Sequence, residues 1–157
     1  MYKLTIRAVG KPQDAFHQQS IHSTVERLKP YARVEVQEIP EGHKGSAKPN
    51  VKKTQETEAN NLLKNIPPGS VIVALDETGK EYDSVTFAKK LDEWSGNGRS
   101  VFFLIGGSWG LDPTVRAKAD TILSLSKMTL PHALARVILL EQLYRAITIL
   151  SGKEYHK

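Results

Sequence analysis

The 157-residue chain contains no cysteine, which excludes disulfides, thiolate catalysis and cysteine-ligated metals. It also lacks any apolar run near the roughly 18 residues that a membrane span needs. Its start, MYKLTIRAVG, alternates like a strand and has neither the apolar centre nor the cleavage site of a secretory signal. A cytoplasmic protein with no membrane partner is the expectation. Lysine and arginine never form a long run, although they outnumber acidic residues by 22 to 17 and leave a formal charge of +5. That balance favours a polyanionic partner such as RNA, met by a folded surface rather than by a disordered basic arm.

Several catalytic signatures are missing as well. No G-x-G-x-x-G follows the first strand and no G-x-x-x-x-G-K-[ST] occurs, so there is neither a dinucleotide fingerprint nor a P-loop. Ser108 lies in a G-G-S-W-G frame, not in the G-x-S-x-G of a nucleophile elbow. The five histidines, His17, His22, His43, His132 and His156, show no metal-ligand spacing, and no metal site is expected.

What is present is periodic. Strands are expected over 3–9 and 33–39, where apolar residues alternate, over 70–75 and 100–105, where short continuous apolar runs indicate burial on both faces, and over the short segment 121–125. Helices are expected over 12–28, with Phe16, Ile21, Val25 and Leu28 inward, and over 51–66, ended by Pro67. A third should run over 84–94, N-capped by Ser84, with Val85, Ala88 and Leu91 inward. A short one over 113–119 and a long one from Pro131 to Ser151, closed by Gly152, complete the set. Residues 40–50 read as a loop and 76–80 as a turn. The order alternates strand and helix throughout, which implies a single α/β domain over 1–157 with a mostly parallel sheet and helices on both faces.

Ligands in open α/β sheets sit beyond the carboxyl ends of strands. Three such ends carry unusual residues: Leu75-Asp76-Glu77, Gly106 to Gly110, and Ser126 to Pro131. Gly106 and Gly107 either let main-chain groups approach a ligand or simply make a tight turn. His132 falls in the first turn of the last helix, where an imidazole either orders the helix start or meets a ligand. Arg136 follows one turn later on the same side, as a surface charge or a bidentate phosphate contact. The tail KEYHK, taken alone, reads as a frayed terminus.

Together these segments are more specific than their parts. AVGK (8–11), VIVALDETGK (71–80), FFLIGGSWGL (102–111) and LSLSKMTLPHALARVILLEQLYRAITILSGKEYHK (123–157) resemble the RlmH (YbeA-like) family of ribosomal RNA methyltransferases over essentially the full chain. The resemblance implies a SPOUT-class α/β fold with a C-terminal trefoil knot, a homodimer and S-adenosylmethionine as methyl donor. It implies methylation of N3 of a pseudouridine in helix 69 of 23S rRNA on the assembled ribosome. Carried onto this chain, the donor site comprises Leu75, Gly106, Gly107, Ser126, Lys127, Met128, Thr129, Leu130 and Pro131. His132, Arg136, Tyr155 and His156 fall at the chemistry, and Arg136, Tyr155 and Lys157 at the RNA. Two positions depart from the family pattern. Many members carry an acidic residue in the glycine turn, where this chain has Ser108-Trp109. Many end in arginine, where Lys157 offers a point charge instead of a planar fork. The competing expectation is a non-catalytic ribosome-associated RNA-binding protein that retains the fold. Retention of Gly106-Gly107 and SKMTLPH argues against it, because a mere binder needs no adenosine pocket.

Overall fold

The computed structural model describes residues 1–43 and 47–157. Among them, strands β1 (Tyr2–Val9), β2 (Ala32–Ile39), β3 (Val71–Lys80), β4 (Ser100–Ile105) and β5 (Thr121–Leu123) form one sheet in the order β2-β1-β4-β3-β5. Every strand pairing is parallel, so each connection is a crossover. Helices α1 (Ala15–Leu28), α2 (Val51–Leu63), α3 (Ser84–Ser95) and α4 (Pro113–Lys118) supply them, and α5 (His132–Leu150) follows the last strand.

The alternation of side chains along the central strands divides the core in two. On one face Leu4, Ile6, Ala8, Val73, Val101, Phe103 and Ile105 pack with Leu28, Leu91, Trp94, Leu139, Leu140 and Leu143 from α1, α3 and α5. On the other, Val9, Ala74, Phe102 and Leu104 pack with Ala59, Leu62 and Val115 from α2 and α4. Burial on both sides explains why β4 reads as an unbroken apolar run.

Several local expectations shift, each for a visible reason. Helix α1 begins at Ala15, not Pro12, because the Asp14 carboxylate accepts the Phe16 amide at 2.8 Å and caps the first turn. Phe16, expected inward, is exposed. Asp83, not Ser84, caps α3 through the Thr86 amide, and Ser84 instead donates to Gln142. Val85 consequently faces solvent, and Phe87 takes the inward position with Ala88 and Leu91.

Helix α2 stops at Leu63, before the expected Ile66. The guanidinium of Arg7, reaching across from β1, donates to the carbonyls of Leu62 (2.8 Å) and Lys64 (2.7 Å) and so closes the helix end. The loop expected over 40–50 is described at 40–43 and 47–50; its centre, 44–46, lies outside the described residues.

The segment 76–80, expected as a turn, belongs to β3. Leu123 of β5 pairs with both Leu75 and Lys80, so the intervening residues bulge out of the ladder. Gly79 permits the return: a Cβ there would stand 2.5 Å from the Ile122 carbonyl oxygen. The bulge projects Asp76 and Glu77 over the carboxyl ends of the neighbouring strands. Strand β5 is shorter than expected and ends at Leu123, where the chain turns away to reach α5.

Candidate functional site

A cleft of about 800 Å³ opens at the carboxyl ends of β3, β4 and β5. Its lining joins all three segments singled out by the sequence: Leu75 to Glu77, Gly106 to Leu111, and Leu125, Ser126 and Met128 to Pro131. Ile105, Leu123 and Ala135 add apolar floor, and Arg116 and His132 border it. This size and mixture of apolar wall with a few convergent polar groups is that of a small-molecule pocket. Among the donor-site residues expected, only Lys127 falls outside the lining; its side chain is exposed.

The hydroxyls between β5 and α5 shape the loop that walls the cleft. Ser124 Oγ donates to the Ser126 carbonyl at 2.9 Å, and Ser126 Oγ accepts the Met128 amide at 3.0 Å, a turn built by a side chain in place of a main-chain bond. Thr129 Oγ1 donates to Glu77 Oε2 at 2.6 Å, which ties the loop to the β3 bulge. These hydroxyls are engaged within the protein, so what the loop presents to the cleft is main chain and the apolar side chains of Met128 and Leu130. Pro131 then serves as N-cap of α5, with His132 its first helical residue.

Across the cleft, Asp76 is fixed by Arg116 Nη2 at 2.5 Å and by the Thr78 amide and hydroxyl. Burial alone raises the Asp76 pKa, but the two Thr78 donors and the Arg116 guanidinium outweigh it and hold the carboxyl below its ordinary value. The rim charge is therefore an ionised carboxylate already matched by a cation.

The glycine turn rests on a layer that sequence reasoning missed. Gly107 and Gly110 pair across it, with the Gly110 amide donating to the Gly107 carbonyl at 3.0 Å. Beneath lies Glu58 of α2, only 3% exposed. Its Oε1 accepts the Gly42 amide at 3.2 Å, and its Oε2 has no partner among the described residues. Burial pushes the Glu58 carboxyl above its ordinary value, against the pull of the Gly42 amide, His43 and the Gly107 amide. A Cβ on Gly107 would stand 2.9 Å from Val9 Cγ1 and 3.3 Å from both Glu58 oxygens. The available signal was spacing: Thr54, Glu58, Ala59 and Leu62 share the buried face of α2, and an acid on an apolar stripe is unusual.

The remaining expected residues divide. The His132 ring borders the cleft and packs over the end of β1, where a Cβ on Gly10 would stand 3.3 Å from its Nε2. Arg136 is fully buried, with Nη2 donating to the Gly10 carbonyl at 3.1 Å and Nε and Nη1 unpartnered among the described residues. A surface role for it does not fit this placement. Burial lowers the pKa of its guanidinium, and Glu38 partly opposes that shift.

The tail lies away from the cleft within one chain. Tyr155 donates to Glu141 at 2.7 Å, stacks edge-on against Tyr144 at 5.0 Å, and lies under Arg145. His156 approaches Arg145 at 3.3 Å and borders a second cleft, of about 550 Å³, beside α3 and α5. Lys157 is exposed. No cluster of metal-ligating side chains occurs among the described residues, and none of their helices is long and apolar enough to cross a membrane.

Comparison with known proteins gives the same architecture. Two solved structures overlay on this chain: a probable rRNA-methyltransferase from Porphyromonas gingivalis (TM-score 0.56, 14% identity, 95% of this chain and 69% of that one) and a probable methyltransferase from Bordetella pertussis Tohama I (TM-score 0.53, 14% identity, 93% of each). At that identity they establish the fold alone. Sequence relatives are nearer. Proteins called ribosomal RNA large subunit methyltransferase H are 42% identical in Anaeromyxobacter sp. (strain Fw109-5), over 157 residues, and 40% identical in Paraburkholderia xenovorans (strain LB400), over 155 residues. Each alignment covers 99% of both chains. The family model described as a predicted SPOUT methyltransferase matches residues 2–156. With its parallel sheet, its cleft at the strand ends and these end-to-end matches, the chain belongs to the SPOUT methyltransferase family.

Proposed function

We propose that this protein transfers a methyl group from S-adenosylmethionine to N3 of a pseudouridine in helix 69 of 23S rRNA, acting as a homodimer on the assembled ribosome in the cytoplasm. The observation that carries the reading is the single cleft in which Leu75, Gly106-Gly107 and Ser126 to Pro131, distant in sequence, converge. The relatives' shared name supports ribosomal RNA as the substrate class. The knotted crossing implied by the resemblance is part of the same reading.

When bound, the cofactor supplies a methyl group on a sulfonium, electrophilic without further activation. The protein's task is then orientation. Leu75, Leu111, Met128 and Leu130 would offer apolar surface to the nucleoside, and the main chain of Gly106, Gly107 and the 126–131 loop would offer it hydrogen-bonding groups. Alignment of a nucleophile behind a methyl group supplies roughly 7–11 kcal/mol of the barrier reduction. The N3 proton must leave as well, and a positioned base adds about 10²–10⁴-fold. His132 is the histidine that borders the cleft and is the group we assign to that proton. Tyr155, His156 and Lys157 do not line the cleft of their own chain; in this reading they serve the partner's site, with Tyr155 against a base and Lys157 at a phosphate. Arg136 acts from behind the site, holding the carbonyls at the end of β1 beside His132.

Mass-spectrometric mapping of 23S rRNA from a strain lacking the gene tests the target: one methyl group missing from the helix 69 pseudouridine is expected. A fully modified helix 69 refutes the assignment. Calorimetry with S-adenosylmethionine separates an enzyme from an RNA binder that kept the fold, because the binder would take up no cofactor.

A further inference from the structure

The glycine turn carries a feature that the methyl-donor reading leaves unused. Trp109 is 45% exposed, whereas Trp94 is 8% exposed and packed edge-on between Phe87 and Phe103. A solvent-facing indole forfeits burial that the same side chain gains elsewhere in the fold. Here it stands at the mouth of the cleft, which it lines together with Ser108, Met128 and Thr129.

Its mount is stiff. The Gly110 amide closes the turn on the Gly107 carbonyl at 3.0 Å, and Gln55 Nε2 of α2 donates to the Trp109 carbonyl at 2.7 Å. Gly106 is packed so closely on Gly110 that a Cβ would meet its carbonyl carbon at 3.0 Å. The first turns of α2, which Gln55 brings alongside, carry exposed Lys52 and Lys53. Lys52 is near enough to contribute, after the Thr114 hydroxyl and amide, to the lowered pKa of Asp112 at the foot of the same turn. A braced, exposed aromatic ring at the lip of a pocket, with exposed lysines on the helix that braces it, is the combination by which proteins hold single-stranded nucleic acid, the ring taking a base and the cations the phosphates.

We propose that Trp109 is a stacking platform for an unpaired base of the RNA substrate, holding the loop at the cleft mouth while Lys52 and Lys53 meet its backbone. The proposal rests on the reading of the cleft as the place where methyl donor and RNA meet.

The test uses the full-length protein and the variants Trp109→Ala and Trp109→Phe. With unmodified ribosomes as substrate, Trp109→Ala should raise KM by roughly five- to a hundredfold, the range of one lost base stack. Trp109→Phe should stay within about threefold of wild type, since a phenyl ring also offers a π-face. The Kd for S-adenosylmethionine, by calorimetry, should be unchanged in both. An unchanged KM in Trp109→Ala overturns the proposal, and so does an equal loss of cofactor affinity, which would place the indole on the adenine.

A second measurement does not depend on turnover. A uridine-containing stem-loop RNA should quench the tryptophan emission of wild type but not of Trp109→Phe, whose remaining Trp94 is buried. If ribosomes are not methylated by wild type yet this quenching occurs, the stacking role stands and the enzymatic assignment fails. If the RNA binds by anisotropy without quenching, the stacking role fails.

Discussion

Gly107→Ala tests whether the glycine turn is a close-packed part of the cleft proposed to hold the cofactor. The new methyl group would lie 2.9 Å from Val9 Cγ1 and 3.3 Å from both Glu58 carboxylate oxygens, whereas carbon atoms at optimal contact are about 3.5–4.0 Å apart. Neither neighbour yields easily. Val9 is fully buried and β-branched, with χ1 restricted by its two γ carbons. Glu58 is held between α2 and the Gly42 amide. The turn itself must therefore lift by several tenths of an ångström to about one ångström. Overpacking of this kind costs roughly 1–3 kcal/mol, which for a chain of this length lowers Tm by about 2–12 °C. The same displacement moves the Gly106–Gly107 main chain out of reach of a ligand, and the loss of one such hydrogen bond weakens binding by about tenfold. Thermal melting and calorimetry with S-adenosylmethionine read the two effects separately. Adding Val9→Ala should restore much of the affinity, because the two sites share one contact and are coupled. Wild-type melting and wild-type affinity in Gly107→Ala would refute the packing argument. A lowered Tm with unaltered affinity would remove the turn from the cofactor site.

Three further outcomes are expected. Arg136→Met should cost about 1–3 kcal/mol in denaturant unfolding, the penalty for leaving the Gly10 carbonyl without its donor, partly offset because a guanidinium with two nitrogens unpartnered among the described residues is no longer desolvated; Arg136→Ala, which also leaves a cavity, should cost more, about 2–5 kcal/mol. Glu58 has a raised pKa in the folded state, so wild-type stability should fall as pH rises from the ordinary glutamate value through the raised one. Glu58→Gln, which keeps an acceptor for Gly42, should abolish that slope and be no less stable at neutral pH; an unchanged profile from pH 3 to 8 would show that another group titrates. Truncation after Gly152 removes the Tyr155–Glu141 and His156–Arg145 contacts but touches no residue of the cleft. Calorimetry should find cofactor affinity intact and a ribosome methylation assay should find turnover lost; retained turnover would exclude the tail from the chemistry.

Much of the protein was legible in its sequence because the relevant physics is local and periodic. The apolar runs at Val71–Leu75 and Val101–Ile105 identify strands buried on both faces, and the alternation of strand with helix makes the sheet parallel. Parallel strands in turn favour binding sites at their carboxyl ends, so Leu75, Gly106-Gly107 and Ser126 to Pro131 stood out as candidates before their convergence on one cleft was visible. What escaped depends on partners far away in the chain. The early end of α2 follows from Arg7, more than fifty residues upstream, reaching the helix carbonyls. The β3 bulge that carries Asp76 and Glu77 over the cleft exists because Leu123 pairs twice. Arg136 reads as a surface charge or a phosphate contact on helical spacing, and only the packing of α5 against the end of β1 decides that it is buried. Sequence by itself determines the order and kind of the elements, because periodicity is local; an exact helix end, a bulge, a buried charge or an exposed indole is decided by what the folded chain brings against it.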